Sequence, residues 1–121
     1  MRTTRGRAIA LGALATVAAV AAPAAAGAKT PVVKVGDDFF TPTDVSVKVD
    51  DKVNFKWLGE NSNPHNVTLT KGPKKVKKKD FKSATGSIGV RFKPKFEKKG
   101  SYDFICTIHP TVMKMKVTVK K

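Results

Sequence analysis

The chain has 121 residues, with 24 lysines and arginines against nine acids and a formal net charge of +15. That length accommodates one small domain, which excludes multidomain enzymes and most cofactor-carrying α/β folds. One cysteine and two histidines leave few side chains able to do chemistry, so the position of each matters.

Residues 1–28 read as a leader rather than as part of the fold. Arg2, Arg5 and Arg7 precede an apolar run from Ala8 to Ala22 that only Gly12 and Thr16 interrupt, and small residues follow Pro23. A basic start, an apolar middle and an A-x-A end predict a secretory signal peptide. Ala26-Gly27-Ala28 is the preferred cleavage site and Ala24-Ala25-Ala26 the second. The alternative is an uncleaved membrane anchor, but the run is mostly alanine, which partitions weakly into lipid. The spacing of Arg2 and Arg5 is not that of a twin-arginine signal. Residues 29–121 are then expected to form a single exported domain, periplasmic or on the outer, cell-wall side of the membrane.

Along residues 29–121 the apolar period is two. An opening strand is expected from Val32 to Val35. Val45, Val47 and Val49 alternate with polar residues, as do Val53, Phe55 and Trp57, then Val67 and Leu69, then Ile88, Val90 and Phe92. Tyr102, Phe104 and Cys106 follow, and Met113, Met115, Val117 and Val119 alternate with lysines and a threonine. This is the pattern of half-buried strands. Turn-forming residues lie between them at Gly36-Asp37-Asp38, Gly59 to Pro64, Lys71-Gly72-Pro73 and Lys99-Gly100. Seven or so short strands and no helical stripe predict an all-β sandwich or barrel, with a β-sandwich the preferred reading.

An exported protein ordinarily pairs its cysteines as disulfides, and this one has only Cys106. A lone thiol in that setting is buried inertly, linked to another chain, or held by a metal. The sequence around it reads Cys106-Thr-Ile-His109-Pro-Thr-Val-Met113, and the other histidine stands in Asn63-Pro64-His65-Asn66-Val67. Each residue alone has a bland explanation: Cys106 as a small hydrophobe, Met113 as a core strand residue, His65 as a polar turn residue. Together, two imidazoles, a thiolate and a thioether are the ligand set of a blue-copper site, in which soft sulfur holds Cu(I) and imidazole suits both oxidation states. Cys106 is expected to end a strand, His65 to open another, and a sandwich brings such ends together at one pole.

The pattern resembles the cupredoxins, the small blue-copper proteins of the plastocyanin, pseudoazurin and amicyanin group. Phe40 to Trp57 is similar to the family's opening segment, Pro64-His65-Asn66-Val67 to its first-ligand motif, and Gly100-Ser-Tyr102-Asp-Phe104-Ile-Cys106 to its run into the thiolate. The resemblance implies one copper ion with His65, Cys106 and His109 as equatorial ligands, Met113 as the long axial ligand, and His109 as the exit point for the electron. It also implies that Asn66 ties the ligand loop to its neighbouring strand. Two departures stand out. The loop is C-x2-H-x3-M, between the shorter amicyanin and longer plastocyanin spacings, and Met115 stands where the family often has glycine. Were Met113 to turn away, a three-coordinate site or another axial donor would follow.

The implied activity is one-electron transfer between redox partners, by a monomer and without catalysis on a substrate, since no histidines are spare for further copper ligands. The same four residues would serve an extracytoplasmic copper carrier or buffer, although the chain lacks the extra exposed Met or His cluster such proteins often show. A third reading is a structural sandwich module with a vestigial site. Six lysines between Lys71 and Lys79 form either a docking surface, for an acidic redox protein or anionic envelope polymers, or a solvated loop. Nucleic acid is disfavoured, because the aromatic residues read as core and offer no stacking face.

Overall fold

The computed structural model describes residues 30–121; the expected leader, residues 1–28, lies outside the described residues. Eight strands form in chain order: β1 (Val32–Gly36), β2 (Phe39–Thr41), β3 (Asp44–Lys48), β4 (Asn54–Trp57), β5 (Thr68–Lys71), β6 (Arg91–Phe92), β7 (Gly100–Ile105) and β8 (Lys114–Lys120). A single turn of 3-10 helix, Lys78–Phe81, falls between β5 and β6. The strands make two four-stranded sheets, ordered β2-β1-β4-β6 and β3-β8-β7-β5. Pairing is antiparallel except for β1 with β4 and β3 with β8, which run parallel. The expected all-β sandwich is the observed one.

Alternation in the sequence becomes burial in the fold. Val33 and Val35 of β1, Phe55 and Trp57 of β4, Tyr102 and Phe104 of β7, and Met115, Val117 and Val119 of β8 all point into one hydrophobic core. β-Branched and aromatic side chains suit this pleated, half-buried setting. Each fully buried Val, Phe or Met stabilises the fold by about 1.5–3 kcal/mol relative to exposure. Phe96 stands edge-on to Tyr102, with ring centroids 4.9 Å apart. The Tyr102 hydroxyl donates to the carbonyl of Lys98 at 2.6 Å, a tyrosine corner of the kind that pins Greek-key sandwiches.

Two sequence expectations need correction, and one strand lies outside them. The segment expected as a strand through Ile88, Val90 and Phe92 pairs only at Arg91–Phe92, and Ile88 is 59% exposed. Its backbone serves a loop instead, because the sheet ends there and the chain crosses the metal-facing pole. His65 does not open a strand: β5 starts three residues later, and His65 sits in an isolated bridge with Gly86. The short strand β2 was not anticipated, since three residues are too few for alternation to register.

The register fixes which ends of the strands share a pole. Trp57, Gly36 and Ile105 lie at one end of the sandwich, whereas Val32, Asn54, Lys71, Gly100 and Lys120 lie at the other. The site occupies the first of these poles.

Candidate metal centre

His65 is held by its own backbone. Its N–H donates to the Gly86 carbonyl at 3.0 Å and its carbonyl accepts from Gly86 N–H at 3.1 Å. The indole N–H of Trp57 donates to the same Gly86 carbonyl at 3.0 Å. The imidazole is fully buried. Its Nε2 lies 2.8 Å from Oδ1 of Asp37, which is in the turn between β1 and β2.

Asp37 also accepts the backbone N–H groups of Ser62, at 2.8 Å, and Asn63, at 3.0 Å. The Ser62 bond first, then those from His65 and Asn63, hold its carboxyl below the usual 3.8. A carboxylate only accepts, so Nε2 of His65 carries the hydrogen and Nδ1 presents a lone pair. Nδ1 is the one buried side-chain nitrogen or oxygen without a hydrogen-bond partner among the described residues. Leaving such a group unpaired costs about 1–3 kcal/mol, and a metal ion offers it a bond.

Cys106 directly follows β7 and is fully buried, its Sγ accepting the Asn66 N–H at 3.5 Å. Nδ1 of His109 lies 3.7 Å from this sulfur. The ligand-type atoms of His65, Cys106 and His109 all fall within 4.8 Å of one another. The 3.7 Å between His109 Nδ1 and the sulfur suits one ion bonded to both at about 2.0–2.3 Å. Met113 closes the loop through its backbone, its N–H donating to the His109 carbonyl and its carbonyl accepting from Cys106 N–H, both at 3.0 Å. Its side chain is fully buried.

Asn66 ties the two halves together. Its side-chain oxygen accepts Thr107 N–H at 3.0 Å, and its amide nitrogen donates to the hydroxyls of Thr107 at 2.7 Å and Thr85 at 3.0 Å. This is the bridging role expected of Asn66 from the sequence.

The carboxylates of the β1–β2 turn were not anticipated. Asp37 contacts His65, and Oδ1 of Asp38 lies 3.3 Å from Nε2 of His109. Each of the two imidazoles therefore has a carboxylate at its Nε2. Local geometry explains how two adjacent side chains reach two histidines. Asp38 adopts φ +85°, in the left-handed region that Asp tolerates better than most residues. Gly36 leaves room for the Phe39 ring, which a Cβ there would run into. The available signal was two consecutive acids in a turn, in a chain that has only nine.

Residues 29–120 match the family described as copper binding proteins, plastocyanin/azurin family. The chain is 35% identical over 118 residues to amicyanin-alpha of Methylorubrum extorquens, across 93% of this chain and 95% of that protein. Amicyanin from Paracoccus versutus superposes with a TM-score of 0.62 at 31% identity, covering 77% of this chain and 83% of that one. The reduced form of an amicyanin variant also gives 0.62, at 28% identity over 80% of this chain and 90% of that one. The chain belongs to the plastocyanin/azurin family of copper-binding proteins, the cupredoxins, and its cofactor is one copper ion.

Proposed function

We propose that this protein is an exported type 1 blue copper protein that carries single electrons between redox partners. In this reading His65 Nδ1, Cys106 Sγ and His109 Nδ1 are the close ligands and Met113 is the weak axial one. Copper bound there supplies a one-electron couple between Cu(I) and Cu(II). The observation that carries the reading is the orphaned Nδ1 of His65, buried and grouped with one thiol and a second imidazole.

The protein's own residues supply rigidity and access. Backbone bonds fix His65 at Gly86 and close the loop from Cys106 to Met113, so the donors are placed by the fold rather than by the metal. Burial of His65, Cys106 and Met113 keeps water from the donors. The His109 side chain is 22% exposed, which gives the site one edge at the surface through which a partner can exchange an electron. The unidentified partner is a redox protein. This pole also exposes Phe39 of β2 and the loop residues Ile88, Ile108 and Val112, apolar side chains suited to a brief, easily broken encounter.

A copper carrier would use the same four residues. The shuttle is favoured because Met113 and Met115 are both buried, and the chain has no histidine beyond the two in the site to pass copper onward. Titration of Cu(II) into the reduced metal-free protein, followed by visible absorption and EPR, tests the proposal. The expected result is an intense blue thiolate-to-copper band that saturates at one equivalent and is absent in Cys106→Ala. Copper bound with a weak band would favour the carrier, and no binding would overturn both.

A further inference from the structure

Charge is divided between the two poles of the sandwich. The four segments that build the metal pole, residues 36–39, 58–66, 84–90 and 106–113, contain Asp37, Asp38 and Glu60 and no lysine or arginine. The opposite pole collects most of the lysines. Residues 71–80 hold six against one acid and residues 93–99 hold four against one, while Lys48, Lys52, Lys120 and Lys121 end or flank neighbouring strands against Asp50 and Asp51.

These lysines sit on a shaped surface rather than a loose loop. Phe81 in the 3-10 turn is buried, with its ring 5.2 Å from Phe96 and 5.4 Å from Tyr102, and Val76 packs against the core. Pro73 lies close enough to Gly100 that a Cβ there would approach it to 2.7 Å. Among the described residues only one lysine forms an ion pair with an acid, Lys95 with Glu97 at 4.0 Å, so the positive field is largely uncompensated.

Two further facts indicate what the surface meets. β7 runs from this pole to Cys106, and six strand residues span about 20 Å. A partner docked on the lysines would therefore be badly placed to exchange an electron at His109. The chain also enters the fold here, the Pro31 carbonyl accepting Asn54 N–H at 2.9 Å, so a leader left uncleaved would join the domain at the lysine pole.

We propose that the lysine-rich pole is a docking face for an anionic phospholipid bilayer, which it holds by attraction between ammonium groups and lipid phosphates. The domain then stands on the membrane with its metal pole turned away, toward soluble redox partners. The direction of the metal pole rests on the proposed copper site, whereas attachment to lipid does not.

The test is co-sedimentation of the full chain, as recovered from cells, with two kinds of vesicle: phosphatidylcholine alone, and phosphatidylcholine containing phosphatidylglycerol. The expected result is binding to the anionic vesicles stronger by roughly tenfold or more, and reversed by salt. Combining Lys74→Gln, Lys75→Gln, Lys77→Gln, Lys78→Gln and Lys79→Gln should reduce it to the level seen with neutral vesicles. An unchanged visible spectrum of the copper-loaded variant would show that it folds. Equal binding of the unaltered chain to both vesicles, or anionic binding that survives the five substitutions, would overturn the proposal. A second arm measures oxidation of the reduced, copper-loaded protein by hexacyanoferrate(III) at about 0.15 M salt, where charges beyond roughly 8 Å are screened. The rate should be unchanged by the substitutions. A large fall would instead assign the lysines to docking of an anionic electron acceptor and overturn the membrane role.

Discussion

Asp37 and His65, 28 residues apart in the chain, meet through a 2.8 Å bond between Oδ1 and Nε2 that leaves Nδ1 as the imidazole nitrogen without a hydrogen-bond partner. Carboxylates placed behind ligand histidines fix their tautomer and raise their basicity, and such partners are commonly worth 10–100-fold in metal affinity. Asp37→Asn keeps the shape and removes the charge. It is expected to weaken Cu(II) binding by roughly tenfold or more and to raise the reduction potential, because the lost charge favoured the more positive ion. Competition with a chelator and voltammetry measure the two effects. An unchanged potential would show that the carboxylate does not act on the metal.

The same carboxylate makes metal-free stability sensitive to acid. Its pKa is lowered in the fold from 3.8, chiefly by the Ser62 N–H and then by His65 and Asn63. A depressed pKa contributes stability that is fully present above the unfolded value and is lost as pH falls through the folded one. Urea midpoints of the metal-free protein should therefore decline below about pH 4. In Asp37→Asn the decline should be shallower. Parallel curves for the two proteins would rule out this source.

Asn66 makes bonds to Thr107 and Thr85 that no neighbour replaces. Asn66→Ala removes the acceptor of the Thr107 N–H, on an exposed residue that water can reach, and should destabilise the fold by about 0.5–1.5 kcal/mol. Because those bonds span the two halves of the site, the visible band should also broaden or shift. Chemical denaturation and the spectrum of the copper-loaded variant report the two consequences separately.

Met113→Leu tests the axial assignment with little change in volume, and such exchanges usually cost less than about 1.5 kcal/mol. If the thioether faces the copper, its loss should raise the reduction potential and alter the visible spectrum while the metal stays bound. Unaltered spectrum and potential would place the thioether away from the metal and leave Met113 as packing only. Met115→Leu serves as the control, since Met115 lies on β8 opposite Phe104.

Much of the fold could be read from the sequence because burial and alternation coincide wherever a strand is long. β7 and β8 pair over six positions, and Tyr102, Phe104, Met115 and Val117 all declare their inward face. Alternation and burial part company where the backbone does something local. Ile88 and Val90 continue a period of two, yet belong to a loop whose conformation answers to His65 and Trp57 through Gly86. The residues grouped as ligands were legible because their types are rare in this chain. Asp37 and Asp38 were not, because their role depends on β1 lying parallel beside β4, a long-range pairing that brings the end of one strand to a histidine beyond the other.

The indole of Trp57 gives the protein a built-in gauge. It is the only tryptophan, it is buried, and its N–H is bonded to the carbonyl that also fixes His65. Its fluorescence therefore comes from a single emitter next to the metal-facing pole, with no second source to dilute the signal. In the proposed site, copper at His65 would stand beside a histidine that shares the Gly86 carbonyl with the indole, and its arrival should quench that light. Loading, loss and exchange of the ion can be followed in real time on the unlabelled protein, including with the chain seated on a vesicle, where absorbance is obscured by scatter.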